Sequence, residues 1–385
     1  MKLAYFTDTY LPNVDGVVNS IVNSKAELAK RGHKVFVFAA GDKQSRVQNL
    51  DKTVFFYDSV SFPPYPQYKV AIYPFASTSH VRKVRAKIVH SHAVASMGLA
   101  AIAASKSYNI PLLGTFHTMV PLAAKAYTRQ RWAKKLVSKI AWQAVSTFYK
   151  PYDLVTAPTQ TIARLLSHHG IKKVRVVPNG IDIARFNPRV DGNVVRKMLG
   201  ISRSTKVVVV AGRVSFEKNV EVLISAAKHM KQNKSCPDFK FIITGSGPAK
   251  PHCEKLTRQF KLTDTIIFTD FLRSFELPFY YAVGDVFATA STFETQGMAM
   301  LEAMACGKLA VGADSLATPE AIKNNENGFL FTPFDSKECA DRLCEVLSLP
   351  PGKYKAMSKS ARLTAEKFSI PKSTDALLQA YSQAL

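Results

Sequence analysis

The chain predicts an α/β fold of two doubly wound, Rossmann-like domains facing across a cleft. Three observations carry that expectation. Short apolar strands alternate with helical patterns along the whole sequence, which is the rhythm of parallel βαβ units. The alternation stops at Val174–Val177 and begins again at Lys206, so two such units follow one another. A length of 385 residues with 47% apolar content gives each unit enough material for its own core.

In the first unit the expected elements are strand Leu3–Phe6, helix Val18–Arg31, and strands Lys34–Ala39 and Ile88–Ser91. A small-residue helix near Gly98–Lys106 follows, then strands Pro111–Thr115, Leu154–Ala157 and Val174–Val177. Ser61–Phe75, with four prolines before Phe75, reads as an aromatic loop. In the second unit the valine run from Lys206 is a buried strand, followed by helix Val220–Met230. Further strands fall near Phe239–Thr244, Ile266–Thr269, Val286–Ala288 and Leu309–Gly312, and the chain closes on a helix over Thr374–Leu385. Domain limits are therefore 1–180 and 181–368, with 369–385 as a terminal helix.

Chemistry concentrates at strand ends in the second unit. Arg213 emerges just past the valine strand and Lys218 follows it, where open α/β sheets bind ligands. An Arg and a Lys there suit phosphate oxygens. Phe239–Gly245 ends in Gly-Ser-Gly-Pro, which admits close backbone approach at Gly245. Glu294 sits on a polar loop that enters a helix at Gly297 and Met298, and Glu302 lies about one turn inside it. The free N–H groups of such a helix start suit a phosphate, and the carboxylates can accept from sugar hydroxyls. Taken singly, each of these residues is equally at home as a cap or a solvated side chain.

Taken together, the E-x7-E pair Glu294/Glu302, the R-x4-K pair Arg213/Lys218 and Pro178-Asn-Gly-Ile-Asp182 resemble family 4 of the retaining, GT-B-fold glycosyltransferases. Gly114-Thr-Phe-His117-Thr and the opening Asp8 to Val17 match that family in the same order. Thr295-Gln296-Gly297 replaces the family's common aromatic-Gly segment and looks like the diacylglycerol glucosyltransferases. The resemblance implies His117, Glu294, Arg213 and Lys218 as catalytic residues. It implies a donor site of Gly16, Arg213, Lys218, Gly245, Leu272, Glu294, Thr295, Gln296, Gly297, Met298 and Glu302, in which Glu302 holds the ribose and Glu294 the donor sugar. The two cations and the Gly297 helix start would stabilise the leaving diphosphate, so no metal and no cofactor is expected. The terminal helix would return to the first domain.

Charge adds a partner. The net charge is +24, and residues 1–180 hold 25 Lys and Arg against 7 Asp and Glu, so the excess lies in the first domain. No Asp or Glu occurs between Ser59 and Tyr152. From Arg131 to Lys150 an apolar stripe through Leu136, Ile140 and Ala144 predicts a core-facing side. Arg131, Trp132, Lys135, Lys139 and Trp142 then share the other face, the composition of an anionic-lipid contact. No recognised nucleic-acid motif accompanies the charge. No signal peptide and no spanning segment is evident, the five cysteines form no disulfide framework, and the cytoplasmic face of a membrane is the expected location.

The expected reaction moves a hexose, with UDP-glucose as donor and diacylglycerol or a related lipid as acceptor. Two alternatives stay open: a GDP-mannose enzyme acting on a phosphoinositide-like lipid or a soluble sugar, and a sugar-nucleotide epimerase or non-catalytic binding protein.

Overall fold

The computed structural model describes residues 1–13, 15–62, 65–117, 119 and 131–385. They form two compact units, Met1–Gly180 with Ile370–Leu385, and Ile181–Ser369.

The first unit holds β1 (Lys2–Thr7), β2 (Lys34–Gly41), β3 (Val54–Phe62), β4 (Tyr65–Ala71), β5 (Ile88–Ser91), β6 (Leu112–Thr115), β7 (Leu154–Ala157) and β8 (Val174–Val176). Their order across the sheet is β4-β3-β2-β1-β5-β6-β7-β8 among the described residues. All neighbours are parallel except β3 and β4. β1 and β5 are fully buried beyond Lys2, as strands covered by helices on both faces must be. Leu3, Tyr5, Ile21, Val37, Ile88, Leu377 and Tyr381 pack into one core, so the terminal helix Ile370–Ala384 is an integral part of this unit.

The hairpin β3–β4 differs from the expected loop over Ser61–Phe75. Its strand Tyr65–Ala71 runs antiparallel at the sheet edge, where proline removes no needed ladder bond.

The second unit holds β9 (Lys206–Ala211), β10 (Phe239–Thr244), β11 (Ile266–Phe268), β12 (Val286–Thr289), β13 (Leu309–Ala313) and β14 (Gly328–Phe331), ordered β11-β10-β9-β12-β13-β14 and parallel throughout. Alternate valines of β9 enter opposite cores. Val208 and Val210 join Phe241, Ile243 and Phe329 on one face, whereas Val207 and Val209 join Ile242 and Phe287 on the other.

A disulfide joins Cys236 to Cys344, with their Cα atoms 5.1 Å apart. This corrects the reading of the cysteines as unpaired: a separation of 108 residues leaves no local trace in the sequence. The bond ties the end of helix Val220–Gln232 to helix Ser336–Leu347, which packs beside it. Cys236→Ser should lower the unfolding free energy by about 2–4 kcal/mol, because so long a closed loop restricts the unfolded chain. Urea unfolding under non-reducing conditions measures this, and an unchanged midpoint would show that the bond contributes nothing.

Candidate active site

In the second unit the chain runs from β9 outward through β10 to β11, then returns to build β12, β13 and β14 on the other side. The reversal falls between β9 and β12, and ligands bind at the carboxyl ends of strands at such a point. The loop leaving β9 carries Arg213 and Lys218, and the loop leaving β12 carries Glu294. Lys218 Nζ donates to Glu294 Oε1 at 2.5 Å, joining the two loops. Burial opposes the charge on Glu294, but the Lys218 ammonium and the Ser291 hydroxyl outweigh it and hold the carboxyl below its usual range.

Asn219 fastens the same loops. Its φ is +50°, a conformation Asn tolerates, and its side-chain amide donates to the Ala290 carbonyl at 3.1 Å and to Thr292 Oγ1 at 3.3 Å. Gly245 lies alongside, with φ +115°. A Cβ there would come 2.0 Å from the Gly212 carbonyl oxygen, so only glycine lets the end of β10 approach the loop that carries Arg213.

Helix Met298–Ala305 begins at Gly297, whose φ of +80° turns the chain into the helix and which has no side chain of its own to cap it. Glu302 lies on this helix and accepts from the Tyr281 hydroxyl at 2.8 Å. Burial pushes its carboxyl up to about 7, with the Tyr281 hydrogen bond and the charge of Arg185 offsetting only part. Glu294 and Glu302 therefore differ in kind. The first is an ion held by a cation, and the second is a buried acid that titrates near neutrality.

Of the other expected donor-site residues in this unit, Gln296 is buried, Thr295 and Met298 are half-buried, and Leu272 packs against the core around Phe287. Sequence reasoning missed Asn219, Tyr281 and Arg185. Asn219 directly follows Lys218, so its tolerance of left-handed backbone was a usable signal. Tyr281 left none, because only the fold brings it to Glu302.

In the first unit Gly16 opens helix Gly16–Lys30, which Asp15 caps by accepting the Val18 N–H at 2.9 Å. Among the described residues, nothing beyond its chain neighbours and its own helix lies within 4 Å of a Cβ built on Gly16. Asp8, just past β1, is buried and accepts from the N–H groups of Ala95 and Met97 and from the Ser96 hydroxyl, each at 3.0 Å. Its role here is to hold the start of helix Ser96–Tyr108. His117 follows β6, with its Nε2 2.9 Å from His92 Nδ1.

Helix Arg131–Tyr149 corrects the expected lipid-facing set. Trp142 is only 8% exposed and stacks on His169 at 3.8 Å, with Phe116 on a parallel plane at 6.5 Å. Trp142 is a core residue supporting the strand end before His117, not a membrane contact. Leu136 and Ile140, expected inside, are 51% and 60% exposed, and they alternate with exposed Lys135 and Lys139. The helix carries apolar groups on nearly every side, so a stripe of small aliphatic residues could be drawn in the wrong phase. The larger Trp142 ring took the core position. The side chains of Arg131 and Trp132 lie outside the described residues.

The model of the family "Glycosyltransferase Family 4" matches residues 14–185, and that of "Glycosyl transferases group 1" matches residues 193–364. The chain belongs to family 4 of the GT-B glycosyltransferases and is a glycosyltransferase. It is 29% identical over 382 residues to the alpha-monoglucosyldiacylglycerol synthase of Streptococcus pneumoniae, covering 96% of this chain and 83% of that one. It is 27% identical over 384 residues to the alpha-monoglucosyldiacylglycerol synthase of Acholeplasma laidlawii, covering 96% and 94%. Among solved structures, Anabaena HepE in complex with UDP-glucose shares the fold, with a TM-score of 0.77, 19% identity and 99% of each chain covered.

Proposed function

We propose that this glycosyltransferase moves glucose from UDP-glucose to diacylglycerol or a related lipid at an anionic membrane surface, keeping the anomeric configuration. Arg213, Lys218 and the helix start at Gly297 receive the diphosphate. Glu302 accepts from the ribose, and Glu294 accepts from hydroxyls of the sugar. The bond between the anomeric carbon and the leaving phosphate oxygen breaks as a bond forms to the acceptor oxygen on the same face. The acceptor proton passes to the departing diphosphate. Charge gathers on that diphosphate, which is why two fixed cations beside a helix start suit the step.

The observation that carries the lipid reading is the exposed ridge Lys135-Leu136-Lys139-Ile140, on a chain similar over almost all its length to two glycolipid synthases. Apolar side chains flanked by lysines insert at the headgroup level while the ammonium groups meet anionic lipid. A second patch of the same composition lies at Ile72, Tyr73 and Phe75, beside helix Ser77–Val84 and its exposed Arg82 and Lys83. Among the described residues no helix is long and apolar enough to cross a membrane. Binding from one side is the mode these patches support.

Sedimentation with vesicles tests this. Binding to anionic vesicles should exceed binding to neutral ones and fall as salt rises. Lys135→Glu with Lys139→Glu should release the protein, at roughly 1 kcal/mol or more for each charge. Equal, salt-insensitive binding of both forms to both vesicle types would remove the membrane from the account.

A further inference from the structure

Arg185 stands beside Glu302 in the second unit, and the reaction proposed above gives it no task. The turn after Ile181 sets its backbone. Asp182 accepts from the Ala184 N–H at 3.1 Å and from the Arg185 N–H at 3.0 Å, and its carbonyl accepts from the Phe186 N–H at 2.9 Å. Arg362 ties this turn to the helix that carries Glu302, donating from Nη1 to the Phe186 carbonyl at 2.7 Å and to the Ala305 carbonyl at 2.6 Å. The Arg185 guanidinium lies over the Phe186 ring, 4.8 Å from its centre. Phe186 packs edge-on against Tyr281 at 5.7 Å, and Tyr281 donates to Glu302 at 2.8 Å.

One atom of this arrangement is unsatisfied. Arg185 Nη2 is buried with no hydrogen-bond partner among the described residues. A charged N–H buried without an acceptor is costly, and an ionised carboxylate is the acceptor that best relieves it. The Arg185 charge reaches both Tyr281 and Glu302, and it draws the Glu302 carboxyl down against the burial that pushes it up to about 7. The other groups facing this carboxyl are the Tyr281 hydroxyl, from helix Leu277–Val283, and the Cys306 thiol one turn along its own helix, which burial pushes up to about 12. Lys308 and Arg362 act on that thiol. As a neutral acid Glu302 would spend one oxygen on its own proton, whereas as an ion it offers acceptors only.

We propose that Arg185 is a positioning residue for Glu302: its buried guanidinium is the counter-charge that the carboxyl takes up on ionising, which leaves the carboxylate able to accept from the ribose hydroxyls of the donor nucleotide. The inference rests on reading Glu302 as the residue that meets the ribose. The Glu302 proton leaves to solvent, and Tyr281 keeps its hydrogen bond to the same carboxylate. Phe186 holds the guanidinium in place while it has no anion to pair with.

Titration calorimetry with free UDP, run on the full chain from about pH 5.5 to about pH 9, reads this ionisation through binding. UDP titrates in part of that range itself, so Glu302→Gln, which cannot ionise, supplies the background profile. Relative to that background, the parent's affinity should rise with pH and level off above about 7. Arg185→Met and Arg185→Gln, both without charge, should level off about one pH unit higher, binding UDP roughly three- to tenfold less tightly near neutrality and like the parent above about pH 8.5. Arg185→Lys keeps the cation and should level off near the parent pH. Uncharged variants that level off where the parent does overturn the proposal. So does an equal loss of affinity at every pH, the mark of a direct contact with UDP or of a damaged fold. A parent profile identical to that of Glu302→Gln would remove Glu302 from the nucleotide site, and the role of Arg185 with it, whereas a parent step that the uncharged variants leave unmoved would sink Arg185 alone.

Discussion

Lys218→Ala is expected to lower the turnover of sugar transfer by about a hundredfold, the scale on which loss of one preorganised charge-stabilising group acts. Two effects combine at this position. The variant loses a cation beside the departing diphosphate, and it also strips Glu294 of the ammonium 2.5 Å away that keeps the carboxylate charged against burial. With the ammonium gone, burial acts unopposed by that charge and the Glu294 carboxyl moves up, weakening it as an acceptor for sugar hydroxyls. Lys218→Arg should not restore the parent rate, because a planar guanidinium cannot occupy the place of a compact ammonium between the two loops. Arg213→Ala should cost at least about tenfold, since it removes a cation proposed to face the departing diphosphate. Rates at saturating donor, with thermal unfolding as a check on folding, measure both. Parent-level turnover in either variant would contradict the placement of the diphosphate.

The two glutamates should separate cleanly. Glu302→Ala is expected to weaken binding of free UDP, because its proposed partner is the ribose. Glu294→Ala should spare that binding and impair transfer, because its partner is the sugar. Calorimetry with UDP compares them, and equal losses of affinity would refute the division. Glu302 also gives a pH signature. Its folded value of about 7 lies above the ordinary 4.5, so its contribution to stability is fully present below about pH 4.5 and is lost as pH rises through 7. The parent should therefore lose thermal stability between about pH 4.5 and about pH 7 relative to Glu302→Gln, which cannot ionise. Parallel pH profiles for the two proteins would show that Glu302 does not titrate there.

Much of the scaffold could be read from the residues. Ile88–Ser91, Leu154–Ala157 and Phe239–Thr244 are strands at the expected bounds, because strands buried on both faces are apolar without interruption. The valine run of β9 and the loop entering helix Met298–Ala305 likewise placed Arg213, Lys218, Glu294 and Glu302 on the right elements. Their partnerships were not legible. Lys218 and Glu294 are 76 residues apart, and only the strand order that sets β12 beside β9 brings them together. Tyr281 reaches Glu302, and Cys236 reaches Cys344, for the same reason. Pattern reading failed outright where the sequence is ambiguous. Prolines disguised the edge strand Tyr65–Ala71 as a loop, and helix Arg131–Tyr149 has too many apolar residues to reveal which side is buried.

The most direct measurement follows glucose itself. Purified protein is incubated with glucose-labelled UDP-glucose and anionic vesicles containing diacylglycerol, beside parallel reactions with GDP-mannose and with water-soluble sugar acceptors. The account predicts label in the lipid fraction as an α-glucoside, formed from UDP-glucose, lost in Lys218→Ala and sharply reduced in Lys135→Glu with Lys139→Glu. Full transfer to a soluble acceptor with no gain from vesicles, or transfer from GDP-mannose alone, would contradict it.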